Sequence, residues 1–307
     1  GGGDGAEVIY ALRNNSTLSK KILNELEKEG QNVRKYYQQR LPSNPIKDYY
    51  FMQRDTPNNE TVTVEYGFID SPKDDVEQIK NNYENRFKTY LTRRIPVILR
   101  LDGKAFHTLT RNAKKPFDVD IEFAMKKAMV TVCHEISGAK IGFCASDEIS
   151  ILLTDFEGLT TDAWFDDNIQ KMASISASLA TAKFNELRPN KIALFDSRVF
   201  TIPSDIEVEN YFIWRQQDTT RNSISSVAQS MFSHRELENK NTDQMQEMCF
   251  QKGVNWNDFS AKLKRGRLIV KQDYEKGGAT RTKWVSVEPP IFTQEREMLK
   301  VLIPKLV

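Results

Sequence analysis

The stretch Ile95-Pro-Val-Ile-Leu-Arg-Leu-Asp-Gly103 decides how most of this chain folds. An apolar run of strand length closes on a carboxylate and then a glycine, so Asp102 stands at a strand tip beside a backbone that a ligand can approach closely. Downstream, Ile141-Gly-Phe-Cys-Ala145 and Ile149-Ser-Ile-Leu-Leu153 flank Ser146-Asp147-Glu148, a pattern that predicts a hairpin with acids at its turn. Between these strands Met125, Ala128, Met129, Val132, Cys133 and Ile136 recur at helical spacing. Ile169, Met172, Ala173, Ser176, Leu179 and Ala180 do so again, before a fourth strand in Lys191-Ile-Ala-Leu-Phe-Asp-Ser-Arg-Val-Phe200. The order βαββαβ is that of the ferredoxin-like unit, an α+β fold.

In that unit the first and third strands are antiparallel neighbours, which predicts that Asp102 and Asp147 meet at one edge of the sheet. Carboxylates brought together repel unless a cation sits between them, and hard oxygen ligands suit magnesium, which shares its shell with water and substrate phosphates. Two such ions can activate an attacking oxygen and stabilise a leaving one. Asp-Gly is also a common turn pair, and Ser-Asp-Glu reads equally well as solvated turn residues. Spacing alone leaves both readings open.

Four motifs in order sharpen the choice: Arg100-Leu-Asp-Gly-Lys-Ala-Phe-His107, Ala145-Ser-Asp-Glu-Ile-Ser150, Phe195-Asp-Ser-Arg198 and Tyr211-Phe-Ile-Trp-Arg-Gln-Gln-Asp218. Together they resemble the consecutive motifs of the tRNA-His guanylyltransferase family, over about residues 80 to 307. The resemblance implies a palm-like nucleotidyltransferase that extends the 5′ end of tRNA in the 3′-to-5′ direction, first activating that end with ATP or GTP. It implies two Mg2+ ions, with Asp102 and Asp147 as ligands, the Gly103 carbonyl as a backbone ligand and Glu148 as the adjoining catalytic acid. It further implies nucleotide binding by Gly103, Lys104, Ala105, Phe106, His107, Lys114 and Ser146, and a homotetramer.

Enzymes that guanylate tRNA-His carry a His-Ile-Asn-Asn-Leu-Tyr-Asn type segment after the Trp-Arg-Gln motif. Here that place reads Asp218-Thr-Thr-Arg-Asn-Ser-Ile-Ser-Ser-Val-Ala-Gln229. This form resembles the bacterial and archaeal branch, whose members repair truncated tRNA 5′ ends by templated addition. Dedicated tRNA-His guanylation is the alternative.

Three basic regions are candidates for phosphate or RNA contact. Lys104, His107, Arg111, Lys114 and Lys115 follow the Asp-Gly turn, and lysine and arginine neutralise phosphate oxygens. Ile224, Val227, Ala228, Met231 and Phe232 define an amphipathic helix whose other side carries Arg215, Asp218 and Asn222, with Arg221 beside them. Near the C-terminus Lys264, Arg265 and Arg267 lead into two strands joined at Gly277-Gly278, a basic hairpin that fits RNA phosphates. Each region also reads as an ordinary solvated or edge-protecting charged surface.

The first 78 residues form a separate segment. The Gly1-Gly-Gly-Asp-Gly-Ala-Glu-Val-Ile-Tyr10 run, a helix with Leu18, Ile22, Leu23 and Leu26, and Thr61-Val-Thr-Val-Glu-Tyr-Gly-Phe-Ile-Asp70 resemble the second half of a zinc N-acetylmuramoyl-L-alanine amidase domain. Glu65 matches that family's strand-end glutamate. No histidine occurs before His107, whereas catalytic zinc takes three protein ligands, so this partial α/β appendage is predicted to be inactive. A cell-wall binding module is the rival reading for it. The boundary is predicted between Pro72 and Tyr83, leaving 79–307 as the catalytic segment.

Composition bounds the rest. With 307 residues, 28% charged and 39% hydrophobic, the chain is ordinary for a soluble protein, and its formal net charge of +2 gives no strong field toward a polyanion. Any RNA affinity therefore rests on local patches. Cys133, Cys144 and Cys249 form no CxxC pair, which argues against a disulfide framework and for a reducing cytoplasm. No apolar run reaches the roughly eighteen residues of a membrane span, so no membrane partner is expected. A nucleotidyl cyclase, which also sets metal-binding acids on such a sheet, is the remaining rival; cyclisation would not need the Trp214 helix or the basic hairpin.

Overall fold

The structure is a computed structural model that describes residues 79–305 except 159, and before them residues 6–10, 17–28, 33–37, 40–41, 44–48 and 62–66. The chain divides into two units, Gly1–Lys88 and Thr89–Val307. The polar stretch 71–78, within which the sequence boundary begins, lies outside the described residues.

The second unit is built on one six-stranded antiparallel sheet. Its elements are β1 Val97–Gly103, α1 Val119–Glu135, β2 Ala139–Ala145, β3 Glu148–Leu153, α2 Ile169–Leu187, β4 Phe195–Thr201, α3 Asp205–Gln229, β5 Arg267–Lys276 and β6 Ala279–Val287. The strand order is β6-β5-β2-β3-β1-β4. The inner βαββαβ part is the α+β ferredoxin-like arrangement that the sequence predicts, extended at one edge by the C-terminal hairpin.

Alternation along the strands divides the core into two layers. Leu99 and Leu101 face α1 and α2, packing with Met125, Met129, Val132, Met172 and Phe184. Ile98 and Leu152 face the other way, into a layer closed by Val208, Phe212, Phe292 and Leu299. Phe143, Phe184, Phe212 and Phe292 are completely buried, and each such side chain stabilises the fold by about 1.5–3 kcal/mol relative to leaving it in water. Helix α1 begins where the Asp118 side chain accepts from the Asp120 and Ile121 amides, and α2 where Asn168 accepts from Lys171. The Gly277-Gly278 turn has φ of 64° and 73° at its two positions, the left-handed pair that a two-residue hairpin loop requires.

Lys264 and Arg265, which the sequence places on the approach to the hairpin, lie in a short helix, Ala261–Arg265. Gly266, with φ of 86°, turns the chain from that helix into β5. Arg215 is also placed otherwise than expected. It is buried rather than on a solvated helix face.

In the first unit, Ala6–Tyr10 lies between Val33–Tyr37, to which it is parallel, and Val62–Tyr66, to which it is antiparallel. The helix expected around Leu18 to Leu26 is Thr17–Lys28. Glu65 stands opposite Glu7 in the antiparallel register. Among the described residues no helix is long and apolar enough to cross a membrane, and all three cysteines are free and buried.

Candidate active site

The same alternation that sends Ile98 into the core puts Arg100 and Asp102 on the α3 side of the sheet. Asp102 pairs in register with Glu148 on β3 and with Asp196 on β4, so three acids form a row across three neighbouring strands at the sheet's end. The next row is basic, with Arg100 paired to Arg198. The Gly103 amide donates to the Asp147 carbonyl at 3.1 Å, which ties the β2–β3 turn to the tip of β1. Asp102 and Asp147 are thereby brought together.

Local sequence explains both turns. A Cβ on Gly103 would lie 2.2 Å from the Phe106 ring, so only glycine lets that ring tuck under the strand tip, where it meets Phe184 and Phe195. The β2–β3 loop has two residues, and Ser146 takes a left-handed conformation, φ 54°, without being glycine. Strain of this kind collects at functional sites.

The acids differ in their neutralisation. Burial pushes the Asp147 carboxyl above the ordinary carboxylate range, and the charge on Asp102 pushes it the same way. Asp102 has only Arg198, at 4.0 Å, and Asp147 has no ion-pair partner among the described residues. Glu148 is the opposite case. Its Oε2 accepts from Arg100 Nε at 2.8 Å and Nη2 at 2.5 Å, and its Oε1 accepts from Arg215 Nε at 2.7 Å. Both oxygens are engaged, so Glu148, expected as a catalytic acid, stands held between two arginines. Arg215 is held in turn by Asp218, to which its Nη2 donates at 3.0 Å, while it also lines the cleft.

A cleft of about 590 Å³ opens on this edge. Of the residues singled out from sequence, Asp102, Phe106, His107, Lys114, Ser146, Asp147, Glu148, Arg215, Asn222 and Arg267 line it. Gly103, Lys104, Ala105, Arg221, Lys264 and Arg265 do not. Phe106 is a core residue whose edge reaches the cleft. Lys264 Nζ donates to the Asn257 carbonyl, Arg265 Nε to the Pro289 carbonyl and Arg267 Nη2 to Glu122, so each of these three cations has an internal partner. Arg221 donates to Asp218 at 3.0 Å from an exposed position.

Asp196 and Arg198 escaped the sequence reading as site residues, although both lie in a quoted motif. Period-two alternation on β4, read against Asp102, would have found them.

The donor set fits a divalent cation. Among the described residues no group of three or more His, Cys, Asp or Glu side chains is arranged to hold a metal. Two adjacent carboxylates, of which Asp102 disfavours the charge on Asp147, beside a strand-tip carbonyl, suit magnesium, which takes one or two carboxylates and completes its shell with water and phosphate.

Residues 76–203 match the family described as Thg1, tRNAHis guanylyltransferase. The chain is 27% identical over 203 residues to a probable tRNA(His) guanylyltransferase of Dictyostelium discoideum, spanning 59% of this chain and 77% of that protein. It is 27% identical over 206 residues to the tRNA(His) guanylyltransferase of Debaryomyces hansenii, spanning 59% and 76%. Among solved structures it is similar to a bacterial tRNA(His) guanylyltransferase (Thg1)-like protein in complex with ATP, with 42% identity and a TM-score of 0.69, over 75% of this chain and 99% of that one. A complex of such a protein with GTP gives 43% identity and a TM-score of 0.66 over the same shares.

Proposed function

Because this chain belongs to the tRNAHis guanylyltransferase family, and so is a nucleotidyltransferase, we propose that it extends the 5′ end of tRNA by templated 3′-to-5′ addition, repairing truncated ends. The observation that carries this reading is the Asp102–Asp147 pair, in which Asp147 has no neutralising partner among the described residues, at the mouth of a cleft that also holds His107 and Lys114. The form of Asp218 to Gln229 and the 42–43% identity to bacterial Thg1-like proteins, against 24–31% to curated tRNA(His) guanylyltransferases, favour repair over dedicated tRNA-His guanylation.

Asp102, Asp147 and the Gly103 carbonyl would hold two magnesium ions, which supply charge stabilisation for an attacking and a leaving oxygen when bound. The remaining groups act through position. Ser146, His107 and Lys114 face a triphosphate, and the positive charge of lysine offsets charge gathering on phosphate oxygens. Glu148 holds Arg100 and Arg215 in one geometry beside the acids, so that no rearrangement is needed when phosphate arrives. Residues 79–307 carry the reaction and residues 1–78 are dispensable for it.

The test is incubation of the purified protein with magnesium, ATP, GTP, labelled nucleotides and a tRNA transcript lacking its first 5′ nucleotide. Extension by the nucleotide complementary to the opposing strand is the expected result. Addition of a lone guanosine to tRNA-His alone would select the alternative, and a cyclic nucleotide or no extension would overturn the proposal.

A further inference from the structure

Trp214 is not used by the reading above. It lies on α3, 46% exposed, and is not among the residues lining the cleft. Arg215 Cζ stands 4.3 Å from its ring centroid and Arg100 Cζ 5.7 Å away, while Tyr211 meets it edge-on at 6.0 Å. Both arginines are gripped by the same carboxylate, Glu148. The indole is therefore fixed from behind, and the wall that holds it, Arg100–Glu148–Arg215, is also a wall of the cleft. Next along the sheet, Arg198 pairs in register with Arg100, has 57% of its side chain exposed and lies 4.0 Å from Asp102.

A large apolar ring costs free energy in water, and a half-exposed tryptophan held rigid by cations has little to gain by staying there. What fits it is a flat, electron-rich ring carried by a polyanion. RNA bases that leave the helix stack on aromatic and guanidinium planes, while the phosphates beside them seek arginine. We propose that Trp214 is a stacking platform for an unpaired nucleobase at the RNA end whose 5′ phosphate reaches Asp102 and Asp147, with Arg198 contacting an adjoining phosphate. This rests on the proposed function, because it presumes an RNA substrate.

Binding of magnesium-ATP and of a tRNA transcript lacking its first 5′ nucleotide is measured separately for the wild type, Trp214→Leu, Trp214→Phe and Arg198→Ala. Trp214→Leu should bind the transcript about tenfold more weakly, the scale of one lost base stack, with ATP affinity unchanged. Trp214→Phe should recover most of the loss, and Arg198→Ala should weaken the transcript and flatten its salt dependence. The transcript, but not ATP, should quench tryptophan fluorescence in the wild type, and that quench should vanish in Trp214→Phe, which keeps the other three tryptophans. Equal transcript binding by wild type and Trp214→Leu overturns the proposal. So does an equal loss of ATP binding, which would make Trp214 a packing residue for the arginines, or a smaller assembly, which would make it a contact between copies of the chain. A wild type that binds no RNA overturns the proposed function, and this platform with it.

Discussion

Two pairs of aspartates stand at opposite ends of the same sheet, and their surroundings differ in one respect. Where β1 begins and β3 has ended, Asp155 and Asp167 are both buried, and Arg93 sits against both, 2.7 Å from Asp155 and 3.6 Å from Asp167. The Arg94 amide also donates to Asp155 at 2.9 Å. Where β1 ends and β3 begins, Asp102 and Asp147 have no such central cation among the described residues, and they open on a cleft. The first pair is closed by the protein's own arginine and serves the fold. On the proposed function, the second would take a cation that arrives with substrate.

The open pair should fail through activity and not through stability. Asp147→Asn and Asp102→Asn are each expected to lower nucleotide addition by on the order of 10³-fold or more, because a fixed charge at the reacting phosphate is lost. The melting temperature should hold or rise, since one change removes a buried carboxylate and the other removes the charge that disfavours it. A variant that retains activity would show the open pair to be no more functional than the closed one.

Glu148 tests the contrast within the active end itself. It lies one residue from Asp147 yet is closed like Asp155, by Arg100 and Arg215. Glu148→Ala would leave buried Arg215 with Asp218 alone, so the loss in urea unfolding should stay below the roughly 3–5 kcal/mol of a wholly unpaired buried charge. Glu148→Gln should retain part of that stability while raising KM for the transcript, since Arg100 and Arg215 would lose their shared anchor.

Why the two ends read so differently in the sequence follows from range. Asp102 and Asp147 were legible because each ends or begins an apolar run, and the βαββαβ order alone brings those termini together. The burial of Phe106 was not legible, because nothing local reveals that Gly103 makes room for its ring. Arg215 and Glu148 read as solvent-facing or free groups, since a buried ion pair 67 residues apart leaves no periodic trace. The closed pair was invisible for the same reason. Arg93 and Asp155 sit outside regular elements, and Asp167 ends a short 3-10 turn, Trp164–Asp167, in which the run of Phe165, Asp166 and Asp167 is left-handed throughout without a glycine among them.

That run supplies the mildest test. Burial, and then the charge on Asp155, push the Asp167 carboxyl up to about 6. Its unfolded value is near 3.9, about two units lower. The folded state therefore binds this proton more tightly than the unfolded state does, so ionisation costs stability, and the full cost is present above pH 6. As pH falls the cost shrinks, and near pH 4 it is gone. Asp167→Asn mimics the protonated form and suits φ of 61°, a conformation that asparagine tolerates well. It should raise unfolding stability by about 2 kcal/mol at pH 7.5, progressively less below pH 6, and leave nucleotide addition unchanged. Urea midpoints at pH 7.5, 6 and 4.5 check the trend. A gain that does not shrink in acid would mean the closed pair is not held in charge conflict, and that the two ends of the sheet differ less than their geometry indicates.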